Sequence, residues 1–379
     1  MSPSLPPELW IYIHRLAVED ISPLRCYEDH DPINDADTDP LDDHHVRRFL
    51  KVAHSLASVC RLWNRLAQEL LYENVWIKDT RLWTSLSVAL QRPDTARHVR
   101  SLRLSATRGD HNVEALHHCP QVEVLIRPDA FDTELGLLCA AAGVQLPRLH
   151  SLKRLYWVHS YWSSTLFRNV LSVAPNLEHL FLTGSATLRP DITPIELPNL
   201  PHLKSLVLTE LSDKHVFSIL RTDLNHLTHL TINPGYFRRD AFPTLCALVS
   251  LAVVTLPGTM SRYYLPFTVY FSMICAHFPA LRELRYDANF CIIFPAAGQT
   301  APALTYIRLH LEESYGHSAE QHLTLFQMPA FTALKRVVLG GPGWSYLEHV
   351  HNDSEKQEAE RLRARGCRVE GADLNFPLW

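Results

Sequence analysis

An apolar pattern of the form Leu-xx-Leu-x-Leu, with aliphatic or aromatic swaps, recurs ten times through most of this 379-residue chain. Its first positions are Val99, Val122, Leu152, Leu177, Leu203, Leu227, Leu248, Leu281, Leu304 and Leu334, separated by 21 to 33 residues with a mean near 26. Such a period constrains the fold strongly. Each unit can form one short strand whose alternate side chains turn inward, but one strand cannot bury its own apolar face. Stacking the units with a helix or irregular return between strands makes a continuous core. The spacing therefore predicts an α/β solenoid of parallel strands plus helices. Pro120, Pro175, Pro279 and Pro302 stand two residues before a unit, where proline imposes extended geometry on the residue ahead of it.

The same alternation assigns one residue per unit to the opposite face, expected to be the open, concave one. Those residues are Arg103, Ile126, Tyr156, Phe181, Val207, Thr231, Ala252, Arg285, Arg308 and Val338. Ile126, Tyr156, Phe181 and Val207 read as an apolar patch, with Arg285 and Arg308 further along. Apolar anchors with charged surroundings suit a protein-binding surface, so these six residues are the candidate contacts for a protein substrate, the alternative being that loops or the C-terminal tail cover the patch. Residues 255–280 are the least regular part of the array. Near the end, Ser354-x-x-Gln357 has the form of a capping box opening a charged helix that stops at Gly366. Cys367-Arg368-Val369 would add an edge strand, so residues 343–379 form a cap.

The first 77 residues have a different pattern. Ser4 can cap a helix with Pro6, Pro7 and Glu8 in its first turn, where proline loses no intrahelical bond. Leu9, Ile13 and Leu16 come next at helical spacing with Tyr12 beside them, and Leu5 lies where a staple to Leu9 would sit. A second helical pattern runs from about Val46 through Leu50, Ala53 and Leu56. A third uses Val59, Leu62, Trp63, Leu66 and Leu70. Between the first helix and the rest, an insert of about residues 18–48 carries ten acids and one arginine from Glu19 to Asp43, with three prolines. It reads as a solvated acidic loop.

At Leu5-Pro6-x-Glu8-Leu9 and Leu56-xx-Val59-Cys60-Arg61-x-Trp63-xx-Leu66-Ala67 the chain resembles an F-box, over about a fifth of its length. The body resembles an irregular leucine-rich-repeat array, without the asparagine that such repeats often carry after the third leucine. The resemblance implies a domain of residues 1–77 docking onto the Skp-family adaptor of a cullin–RING ubiquitin ligase. Leu5, Pro6, Leu9, Ile13, Val59 and Trp63 are the implied adaptor contacts. Residues 78–379 would then hold the protein substrate. The alternative is a leucine-rich-repeat interaction scaffold with no ubiquitin-ligase association.

Little else in the sequence competes with a binding role. Residues 1–76 hold 13 acids and 7 bases while the remainder holds 27 acids and 29 bases, so no region attracts nucleic acid or an anionic membrane strongly. Asp35-x-Asp37-x-Asp39 starts like a calcium loop but has Pro40 where the turn needs glycine and Val46 where a glutamate belongs. Gly340-Gly341-Pro342-Gly343 lacks the lysine of a phosphate loop. Twenty-two scattered histidines and eight cysteines without a CxxC pair give no metal spacing. The expectation is no enzyme, no cofactor and no metal. With no basic-then-apolar start and no clean membrane span, the expected location is cytoplasm and/or nucleus.

Overall fold

The computed structural model describes residues 6–19, 44–77, 80–104, 109–127, 145–159, 164–184, 194–232, 244–253, 274, 276–287, 304–311, 319–340 and 353–371. Described residues up to Leu203 form one compact unit and those from Lys204 a second.

The first unit opens with three helices: α1 (Pro7–Glu19), α2 (His44–Ala57) and α3 (Arg61–Glu73). Phe49, Ala53 and Leu70 form their small core, flanked by Leu50, Val52, Leu56 and Leu71. Because α1 reaches Glu19 and α2 begins at His44, the helices reach further into the acidic insert than its sequence limits of 18 and 48. Residues 20–43 lie outside the described residues. The turn from α2 into α3 is held by the Asn64 side-chain amide, which donates to the Ala57 carbonyl at 3.2 Å. Cys60 caps α3, its sulfur accepting from the Trp63 N–H at 3.5 Å.

No linker separates these helices from the strands, for α3 ends where β1 (Asn74–Trp76) begins. The Arg47 and Arg103 guanidiniums lie 5.7 and 5.3 Å from the Trp76 ring centre, joining α2 to the first two strands. The unit continues through α4 (Thr80–Leu90), the short α5 (Pro93–Ala96), β2 (Ser101–Arg103), α6 (Gly109–His118), β3 (Val124–Arg127), β4 (Arg154–His159), α7 (Ser164–Val173) and β5 (His179–Gly184). Strands β1 to β5 are parallel and lie in chain order, with Leu102, Leu125, Leu155 and Leu180 side by side.

The second unit holds β6 (Ser205–Thr209), α8 (Asp213–Leu220), β7 (His229–Ile232), β8 (Ser250–Val253), β9 (Glu283–Asp287), β10 (Tyr306–His310), α9 (Ala319–Leu325), β11 (Arg336–Gly340), α10 (Asp353–Ala364) and β12 (Arg368–Gly371). Its seven strands are again parallel and in chain order, aligning Leu206, Leu230, Leu251, Leu284, Ile307 and Val337. Each of the ten sequence units thus contains one strand. The body is α/β, one parallel strand per repeat with helices between several of them.

The same turn introduces nearly every repeat strand. The N–H of the first apolar residue donates to the carbonyl three residues earlier, as in Val122 to Cys119, Leu177 to Ala174, Leu227 to Leu224 and Leu281 to Phe278. The accepting residue is itself buried, a repeated core position outside the Leu-xx-Leu-x-Leu pattern. Pro120, Pro175 and Pro279 occupy the second position of these turns, where their fixed φ fits. They form the turn that leads into each strand. Pro302 lies outside the described residues.

The core rows contain two polar departures. Arg127 stands where the third leucine of its unit belongs and is fully buried. Its guanidinium donates to the Val158 carbonyl at 2.6 Å and lies 5.2 Å from the Trp157 ring centre. In the second unit Tyr286 takes the same position, its hydroxyl 2.9 Å from His322 Nδ1. At the C-terminal end, α10 begins at Asp353, so Ser354 lies inside the helix rather than capping it. Gly366, at φ +83°, ends it in the left-handed region. The Cys367 N–H reaches the Leu362 carbonyl and the Gly366 N–H that of Arg363, closing the helix end. The expected edge strand forms as β12.

Candidate functional site

Helix α1 has two apolar faces. Trp10 and His14, one turn apart, face α3: the Trp63 ring lies 5.1 Å from Trp10 and 4.7 Å from His14. Arg15 adds an ion pair to Glu69 at 2.7 Å, exposed and therefore weak. At about 100° per residue, Leu9, Tyr12, Ile13 and Leu16 fall on a second stripe roughly a third of a turn from this seam. These four stand exposed, Tyr12 at 60 % and Leu16 at 49 %. Val59, in the turn between α2 and α3, is exposed at 61 %, and Leu62 lies just beyond it. These six make up most of the large apolar side chains exposed among the described residues, the others being Val88 and Met328. A small domain that leaves so much apolar surface in water has the makings of a docking surface.

Of the sequence-predicted adaptor contacts, Pro6, Leu9, Ile13 and Val59 are exposed, and Leu5 lies outside the described residues. Trp63 is half-buried in the seam, where it holds α1 against α3. Tyr12, Leu16 and Leu62 are exposed apolar residues that the sequence pattern places among helical core positions. A signal for them exists in the sequence: a helix carrying Trp10 and His14 on one side has no room for Leu9, Ile13 and Leu16 in the same core.

His14 is 1 % exposed, and among the described residues neither ring nitrogen has a hydrogen-bond partner. Burial holds its pKa below the ordinary value. The neutral ring fills the seam as an apolar residue would.

The strand face follows the covered alternative rather than the open one. Ile126, Tyr156 and Phe181 in the first unit, and Val207 and Arg285 in the second, are buried rather than open to a substrate. Arg308 alone among the six is half-exposed. Tyr156 and Phe181 pack together at 5.9 Å between ring centres, and burial raises the Tyr156 pKa. Parallel strands are commonly covered on both faces, and several here read as continuous apolar runs, such as Val124-Leu125-Ile126. The period-two pattern locates a second face without showing what lies over it.

Between α4 and α6, Glu114 accepts from Trp83 Nε1 at 3.1 Å and Ser87 Oγ at 2.5 Å, with His118 Nε2 3.7 Å away. The Ser87 hydrogen bond is the main reason its carboxyl pKa is lowered. Ser87 donates to the carboxylate rather than to a histidine, so this cluster clips two helices and activates no nucleophile. Among the described residues no group of three or more His, Cys, Asp or Glu side chains could hold a metal ion. Nor, among them, is any helix long and apolar enough to cross a membrane.

No protein-family model matches the chain, and no curated protein matches it. Among solved structures, it is similar to a leucine-rich repeat protein from Bacteroides ovatus at 12 % identity. That similarity covers 73 % of this chain and 85 % of the other, with a TM-score of 0.14. A TM-score this low carries no argument about fold or function.

Proposed function

We propose that this protein is a substrate-recognition subunit of a Skp–cullin–F-box ubiquitin ligase. Its N-terminal helices dock the Skp-family adaptor and its strand-and-helix body holds the protein to be ubiquitinated. The observation that carries this reading is the exposure of the apolar side chains Leu9, Tyr12, Ile13, Leu16, Val59 and Leu62. Leu9, Val59 and Leu62 fall within the two stretches whose sequence resembles an F-box, and Tyr12, Ile13 and Leu16 continue the helix that the first stretch opens. Burying such side chains against a partner contributes about 25 cal/mol per Å², and a few apolar anchors carry most of a typical interface. Transfer chemistry comes from other subunits, so the chain itself needs no active site.

The test is co-purification of the full chain with the adaptor. Wild type should co-elute with it, while Leu9→Asp and Val59→Asp should not. Neither substitution should lower the melting temperature by much, because Leu9 and Val59 are 46 and 61 % exposed. A wild-type chain that fails to retain the adaptor removes the ligase reading and leaves the alternative of an interaction scaffold without ligase association.

A further inference from the structure

Helix α1 presents its exposed apolar stripe on one side and is held to the head on the other. Among the described residues, the ring contacts that hold it are those of Trp10 and His14 with Trp63, and the Arg15–Glu69 pair beside them is exposed. A helix of 13 residues is marginal in water by itself. The stripe therefore keeps its shape only while the seam with α3 stays closed.

One member of that seam is titratable and stands where a charge has no partner. His14 is 1 % exposed, its ring lies 4.7 Å from that of Trp63 with the planes at 64°, and among the described residues its two nitrogens have no hydrogen-bond partner. An unsatisfied buried polar group costs stability, and an imidazolium would add a second donor and a charge. Leucine or phenylalanine would fill the seam without that cost, so what histidine adds there is its titration. The surrounding charges offer the ring no counter-ion. Helices α2 and α3 pack against α1. The described charged side chains of α2 are Arg47, Arg48, Lys51 and His54, all cations when protonated. Those of α3 are Arg61, Arg65, Glu69 and Glu73, and Glu69 is taken by Arg15, the residue next to His14, at 2.7 Å. Burial raises the Glu73 pKa, with Arg100 and Arg15 acting in the opposite sense.

We propose that His14 is a proton-operated release for α1, whose protonation opens the seam with α3 and withdraws the docking stripe. The closed seam takes the neutral ring, and burial lowers the pKa of His14 there. Once released, the imidazole returns to an ordinary pKa of about 6.5 and is mostly charged by about pH 5.5. Closure of the seam therefore weakens by up to about tenfold between about pH 7.5 and 5.5. Glu73 titrates in the opposite sense, since its raised pKa favours the folded form in acid, and substitution of His14 separates the two. The inference adds regulation to the docking surface proposed above and rests on that reading for what the release switches off.

Three measurements on the full-length protein test it. Adaptor affinity, measured at neutral and mildly acidic pH, should weaken several-fold in acid for wild type and stay level for His14→Phe; that comparison removes any pH effect on the adaptor itself. Hydrogen exchange of α1, corrected for the intrinsic effect of pH, should lose about three- to tenfold in protection over the same range, again only with histidine present. The imidazole resonance missing from His14→Phe should titrate below the ordinary histidine range. Should His14→Phe fail to fold, seen in its melting temperature, His14→Gln is polar but cannot titrate and should be equally insensitive to pH. An equal acid effect in the non-titrating variant overturns the proposal. So does a His14 resonance titrating above the ordinary range, which would mean that the Trp63 ring stabilises the imidazolium. Adaptor affinity that ignores pH while α1 protection falls also overturns it. If wild type does not bind the adaptor even at neutral pH, the ligase reading fails, and the exchange and titration results alone decide whether His14 releases α1.

Discussion

Replacing Trp63 by alanine should detach α1 without unfolding the body. Trp63 meets Trp10 and His14 across the seam at 5.1 and 4.7 Å and is half-buried. Truncating a fully buried tryptophan costs about 3–5 kcal/mol, so a half-buried one costs roughly half that. Each ring pair adds about 0.5–1 kcal/mol beyond its area, for a total of about 3 kcal/mol. Little else offsets the loss, since the Arg15–Glu69 pair is exposed and the neighbouring core rests on Phe49, Ala53 and Leu70. About 3 kcal/mol corresponds to roughly a hundredfold in an equilibrium constant. Hydrogen exchange read by mass spectrometry should show amides of α1 losing about that much protection, while β2 to β5 keep theirs. Trp63→Phe should retain much of the protection, and adaptor affinity should fall with Trp63→Ala because the partner must re-dock α1. Protection of α1 within a few-fold of wild type would refute the seam as the element that holds the docking stripe in place.

The same geometry sets other outcomes. His14 has a lowered pKa, so unfolded chains bind more protons than folded ones as pH drops below the ordinary 6.5, and stability is lost through that window. His14→Phe should raise head stability and remove this acid dependence, read as exchange of α1 at neutral and acidic pH; an unchanged pH profile argues against it. Arg127→Leu restores an apolar residue to a core row, and swapping a buried charge for a hydrophobe is often neutral or stabilising by about 1–4 kcal/mol. Its melting temperature should hold or rise, and a clear drop would show that the guanidinium's interactions, the Val158 carbonyl and Trp157 ring among them, outweigh desolvation. Burial pushes the Cys119 thiol up to about 12, so the folded protein should leave it unalkylated at mildly basic pH while exposed Cys60 reacts. Peptide mapping after iodoacetamide treatment reads both.

The ten repeat strands were legible because the leucine period and the strand period are local properties of neighbouring residues. Val99-Arg-Ser-Leu102 already states which side chains turn inward, and Gly366 already marks a helix end that needs φ above zero. The three helices of the head were legible for the same reason, to within a few residues at their ends. The turn residue three before each repeat unit was harder to read, because Ala96, Cys119, Leu149 and Phe278 share burial but not identity.

The cover over the sheet was not legible. Tyr156 and Phe181 carry the same pattern whether their face is open or buried, and only three-dimensional neighbours decide it. Trp63 likewise fits a docking contact or a packing contact by sequence. Its ring meets Trp10 and His14 because α1 and α3 pack together there, although the acidic insert and all of α2 lie between them along the chain.

By itself, then, the sequence determined the repeat unit, the alternation along each strand and the two stretches that resemble a docking domain. Tertiary structure decided which apolar residues enter the core and which remain in water, and it brought Arg285 beside Arg308 and Arg336 beside Arg368. The physical reason is that periodicity records alternation along one strand, whereas burial and charge pairing depend on neighbours tens of residues away.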